Sequence, residues 1–84
     1  MALAYYDKRK VKSIGTSRGN WGKAPGAGAD AGKTIYTASA DGATATVNFE
    51  DGTTQEHPPA GTMKSGSKIK VDNATGRVEV EEDV

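Results

Sequence analysis

Hydrophobic and polar positions alternate along the second part of this chain and lose that rhythm along the first. Ala43 to Phe49 reads ATATVNF, a period of two that puts Ala43, Ala45, Val47 and Phe49 on one face of a strand. Lys68-Ile69-Lys70-Val71 and Arg77-Val78-Glu79-Val80-Glu81 alternate as cleanly, with Ile69, Val71, Val78 and Val80 inward and the charges outward. The loop Asp72-Asn73-Ala74-Thr75-Gly76 joins them as a hairpin, because glycine can take the left-handed position such a loop needs. Across that hairpin Lys68 and Lys70 face Glu79 and Glu81, and such pairs contribute about 0.2–1 kcal/mol each.

Thr34 to Ser39 is a further β-rich run, stopped by Asp41-Gly42, and Asp51-Gly52 closes the strand that follows. Asp-Gly between β-prone runs signals a tight hairpin, since type I′ turns need positive φ at both central positions. Two in succession predict a three-stranded meander whose third strand is Thr53 to His57. Pro58 ends that strand because it has no amide to donate to a ladder, and Lys64-Ser65-Gly66-Ser67 reads as another turn. The expectation is an all-β fold, a small antiparallel barrel or sandwich of five strands. Residues 36–57, with their Asp-Gly turns, resemble the meander of SH3-like barrels such as Tudor domains. Tyr36 and Phe49 alone do not make the aromatic cage of methyl-lysine readers, so the resemblance assigns no site residues.

Residues 1–14 mix aromatic, basic and aliphatic side chains, and Val11 and Ile14 fit period two poorly, leaving a short strand and a helical turn both open. Residues 15–33 hold six glycines and Pro25. Glycine at that density carries a heavy ordering cost and argues against helix or long strand. The predicted organisation is an extended, basic, glycine-rich arm over 1–33 and a small β-domain over 34–84, the arm serving association more than β-structure. The β-domain's core is thin, and the chain has no cysteine to staple it. Association is the remaining means of support.

Charge sharpens this division. The formal net charge is zero, yet residues 1–33 carry seven basic against two acidic side chains, and residues 34–84 carry four basic against nine acidic. A surplus of five on each side, opposite in sign, points to nucleic acid, a charged surface or a copy of the same chain as partner.

Candidate chemistry is sparse. Gly28 to Thr34 approaches a phosphate-binding loop, but the glycine required five positions before Gly32 is Ala27, and a strand follows where a helix should; a flexible spacer is the reading. His57 is the only histidine, and its neighbour Glu56 points to the other face of a strand, so a metal site is not expected. The loop at Asp72 lacks the alternating oxygens and distal glutamate of a calcium loop. Asn73-Ala74-Thr75 matches a glycosylation acceptor by chance. Glu79, Glu81, Glu82 and Asp83 read as a solvated acidic end, with no cleft to tune a carboxylate pair. No enzyme, cofactor or metal is expected.

The candidate partner-binding residues are Tyr5, Tyr6, Lys8, Arg9, Lys10, Lys12, Arg18, Trp21 and Lys23, cations interleaved with aromatics. The reading is a structural assembly protein, such as a phage capsid decoration, cement or connector component. It would dock through its arm on copies of itself or on a neighbouring structural protein. The alternative is a β-barrel that binds nucleic acid through the same arm, against which the acidic domain would work. No apolar run has the length of a membrane span and no secretory signal opens the chain. Virion or cytoplasm is the expected location.

Overall fold

A computed structural model describes residues 2–7 and 9–83, with side chains from residue 9 to residue 82. All the regular structure is β apart from one 3₁₀ turn at Gly28–Asp30. The strands are β1 (Ala2–Asp7), β2 (Val11–Arg18), β3 (Gly22–Pro25), β4 (Lys33–Thr37), β5 (Thr44–Phe49), β6 (Thr54–His57), β7 (Lys68–Asp72) and β8 (Val78–Asp83). They form two antiparallel sheets, one ordered β1-β8-β7-β4-β3 and the other β2-β5-β6. No helix among the described residues is long and apolar enough to cross a membrane.

The five strands expected after Thr34 are β4 to β8, and the count among the described residues rises to eight. The three added strands lie in the stretch expected to be an arm. A fully extended arm would carry the mass well away from the body. The Cα radius of gyration is instead 11.7 Å, close to the roughly 12 Å of a compact chain this long. The missing signal in β2 has a physical cause. Its register against β5 runs Val11↔Phe49, Ser13↔Asn48, Ile14↔Val47, so the pairing shifts at Lys12. A bulge adds one residue to a strand, and residues three apart then share a face. Val11 and Ile14 thus both pack on the core that alternation denied them.

That core joins the two sheets. Ala45, Val47 and Phe49 of β5 meet Ile69 of β7 and Val78 and Val80 of β8, with Val11, Ile14, Trp21, Tyr36 and Val71 packed around them. Ala38, Ala43 and Met63 form a smaller cluster, and Trp21 touches both. Trp21 also donates its Nε1–H to the Thr44 carbonyl at 3.2 Å.

The predicted meander is corrected. The Asp51-Gly52 turn does join β5 to β6, with Phe49 N–H donating to the Thr53 carbonyl at 2.9 Å. Asp41-Gly42 makes no hairpin, because β4 belongs to the other sheet between β3 and β7. The chain turns a corner there, held by Ala38 N–H to Ser67 O at 2.9 Å and Gly42 N–H to Met63 O at 2.9 Å. The SH3-like continuity of residues 36–57 is broken at that corner. The last hairpin is as read from sequence: Lys68 opposes Glu81, Lys70 opposes Glu79, and Gly76 has φ +75°. A side chain at 76 would also strike Lys10, whose Cγ lies 2.5 Å from the Cβ position.

Removing residues 1–33 would strip a sheet strand from β5, both outer strands from the larger sheet, and Trp21 from the core. The smaller sheet would be left as the two-stranded β5–β6 hairpin, which is marginal in water by itself, facing three strands without their margins. The truncated chain 34–84 is expected to lose cooperative urea unfolding, measured by circular dichroism. A sharp transition near the full-length midpoint would show that the later strands fold alone.

Candidate functional site

Strands β2 and β3 and the turn between them hold four of the six candidate residues whose side chains are described, Lys12, Arg18, Trp21 and Lys23. The turn between them runs through Gly19 (φ +97°) and Asn20 (φ +48°). Gly19 is required there, because a Cβ would sit 2.5 Å from that of Ala43. Consecutive in sequence, β2 and β3 nevertheless do not pair with each other: β2 bonds to β5 and β3 to β4. A seam opens between the sheets on that side. It is a groove of about 240 Å³ lined by Val11, Lys12, Ser13 and Ile14 of β2, Lys23 of β3, Thr34 and Tyr36 of β4, and Val71 and Asn73. Val11, Ile14, Tyr36 and Val71 are half-buried and form its apolar floor. Thr34 Oγ1 donates to Asn73 Oδ1 at 2.9 Å along one wall.

The structure divides the candidate residues. Lys12, Arg18 and Lys23 are exposed and form no ion pair among the described residues. Lys23 Nζ stands 5.7 Å from the centre of the Tyr36 ring, within cation–π range. Lys10 pairs with Glu50 at 3.5 Å, both well exposed. Arg9 and Trp21 serve the fold instead. The Arg9 guanidinium lies 3.9 Å from the centre of the buried Phe49 ring and donates to Thr53 Oγ1 at 2.9 Å. Tyr5 and Tyr6 lie in β1 at the register positions of Val80 and Glu79, and their side chains, like all of Lys8, lie outside the described residues.

Two polar clusters go beyond the sequence reading, which sets Lys68 and Lys70 against Glu79 and Glu81 but brings in neither Asp30 and Lys33 nor His57 with Glu82. On the outer face of the larger sheet, Lys70 Nζ lies 2.9 Å from Glu81 Oε1 and 3.2 Å from Asp30 Oδ2. Lys33 lies 3.7 Å from Asp30 and 3.8 Å from Glu79. Hydrogen bonding from Lys70 holds the Asp30 carboxyl below its ordinary 3.8, aided by the charges of Lys70 and Lys33 and opposed by desolvation. Hydrogen bonding to Glu81 first, then to Asp30, holds the Lys70 ammonium above its ordinary 10.5 against the effect of burial. The segment around Asp30, read as a loose spacer, is therefore tied down. A cleft of about 210 Å³ beside it includes Lys33, Lys70 and Arg77, but there the two lysines are already neutralised.

The second cluster is buried. His57 Nδ1 lies 2.8 Å from Glu82 Oε1, and the two residues are only 3% and 2% exposed. The expected strand-end histidine and solvated glutamate thus form a buried contact between β6 and β8. The signal was present: Val78, Val80 and Glu82 share one face by period two. No three of the described His, Cys, Asp and Glu side chains converge as a metal site.

No protein-family model matches the chain, and no curated protein or solved structure matches it.

His57→Ala would strand the Glu82 carboxylate in the interior, which costs about 3–5 kcal/mol when one partner of a buried pair is removed. Urea unfolding should show that loss, with the double replacement His57→Leu/Glu82→Leu closer to wild type. The outer network has its own pH signature. A depressed carboxyl stabilises fully above its unfolded value, so the advantage of wild type over Asp30→Asn should shrink as pH falls below 3.8. A raised ammonium stabilises fully below its unfolded value, so the advantage over Lys70→Met should shrink as pH rises above 10.5. Thermal melts across pH measure both.

Proposed function

We propose that this chain is a structural assembly protein that docks on acidic surfaces of its neighbours through the basic strands β2 and β3, as a decoration, cement or connector subunit of a virion would. The observation that carries the reading is the seam. Its cations Lys12 and Lys23, with Arg18 further along β2, are exposed and form no ion pair among the described residues, while Lys33 and Lys70 on the other face of the larger sheet are paired. Uncompensated charge at an open margin favours an oppositely charged partner and sets its orientation. The bulges at Lys12 and Ser17 and the shortness of β3, which ends on Pro25, blunt indiscriminate edge pairing. A margin so guarded suits a partner of defined charge better than a random strand.

Sedimentation of native extracts tests this. The wild-type chain should travel in large particles at low salt and lose them progressively toward about 0.5 M, where exposed ion pairs are strongly screened. A Lys12→Glu/Arg18→Glu/Lys23→Glu variant with an unchanged melting temperature should remain at monomer mass. DNA binding by the purified wild type should be feeble and lost by about 0.2 M salt. A wild-type chain that is monomeric in native extracts overturns the reading. Tight DNA binding with a steep salt slope would replace it with the nucleic-acid alternative.

A further inference from the structure

We propose that the seam between β2 and β3 receives an extended acidic segment of a neighbouring protein, a strand in which small aliphatic side chains alternate with carboxylates. The inference rests on the assembly reading and names the chemistry of its partner.

The shape of the site fixes the form of the occupant. The groove runs along β2, a margin strand with one bonded neighbour, and beside residues of β4 and β7 in the facing sheet, so its long axis suits an extended chain. Its β2 wall, Val11 to Ile14, spans four residues, or about 13 Å of strand. Successive side chains of a strand point to opposite faces. One set then drops onto Val11, Ile14, Tyr36 and Val71, and the other stands at the level of the lips. Lys12 lines the groove from β2 and Lys23 from β3, both exposed and neither paired with a carboxylate among the described residues. Aliphatic below and carboxylate above is the pattern that satisfies both layers.

The chain already contains one instance of this recognition. In β8, valine and glutamate alternate over Val78 to Glu81, and Lys70 of β7 and Lys33 of β4 meet the glutamates of that strand, at 2.9 Å from Glu81 and 3.8 Å from Glu79. That strand is itself paired on both sides, with β7 and β1, so a second copy has no free segment of this pattern to offer. A nucleic acid fits less well. The Tyr36 ring, the groove's aromatic surface, is already attended by Lys23, and two lip cations compensate few phosphates.

The test is a titration of the ¹⁵N- and methyl-labelled full chain with a capped peptide of alternating valine and glutamate, followed by nuclear magnetic resonance. Signals of Val11, Ile14, Tyr36 and Val71 should move together and saturate, and a valine–lysine peptide should leave them in place. Lys12→Glu/Lys23→Glu should weaken binding about fivefold or more, since two exposed ion pairs are lost and replaced by repulsion. If that variant melts early, the salt dependence of wild-type binding substitutes for it, and insensitivity to salt overturns the charge argument. Shifts centred on Lys33 and Lys70, or none at millimolar peptide, would overturn the site. Stronger shifts of the same signals by oligothymidylate would assign the groove to nucleic acid, and concentration-dependent shifts without peptide would assign it to a second copy. Failure here with the chain still found in particles removes only the groove's occupant; a monomeric chain in native extracts removes the assembly reading on which it stands.

Discussion

The pairing of β2 with β5 is the contact on which the rest of this fold depends. Without it the smaller sheet is the β5–β6 hairpin alone, and the face of β5 that carries Ala45, Val47 and Phe49 loses the cover of Val11 and Ile14. With it, a chain of modest apolar content encloses a core between two sheets. The bulge at Lys12 is what makes the pairing productive, because it turns two residues of unfavourable spacing onto the same side. Trp21 then spans the larger and smaller clusters just beyond the turn, so the glycine-rich stretch is an organiser of the interior and not an appendage.

How much of this was legible follows from which local rules each segment obeys. The β7–β8 hairpin was legible from strict alternation, a loop ending in glycine and opposed charges, although the sequence reading ends the last strand at Glu81 and leaves the buried Glu82 in a solvated end. The β5–β6 turn was legible for the same reason. The corner at Asp41-Gly42 was not: the dipeptide supplies a positive φ, but bonds to Met63 and Ser67, distant in sequence, decide where the chain goes next. In β2 and β3 the glycines and the bulges erased the period on which strand recognition rests. Of the candidate site, the basic residues were legible as a group. Their division into fold-holding Arg9 and Trp21 and outward Lys12, Arg18 and Lys23 was not, since composition alone does not reveal that an aromatic ring waits beneath a guanidinium.

Electrostatics is arranged in three layers with different physical weight. The His57–Glu82 contact lies in the interior, where any change of one partner is severe. The Lys33, Lys70, Asp30, Glu79 and Glu81 network is partly shielded and ties the 3₁₀ turn to the sheet face. The seam cations are exposed and pair with no described carboxylate, Lys23 lying over the Tyr36 ring. The apparent neutrality of the whole chain therefore conceals local imbalance, and at the seam the imbalance is positive.

The placement of that surplus bears on how such a protein diversifies. Lys12 and Lys23 sit at sheet margins, outside the buried clusters and outside the ion-pair network that fastens the 3₁₀ turn. Exchanging them leaves the packing of Phe49, Ile69 and Val80 untouched, whereas surface substitutions of this kind usually shift stability by no more than about 0.5 kcal/mol. Descendants of this sequence are thus at liberty to alter the charge of this margin while inheriting, unchanged, the instructions for how to fold.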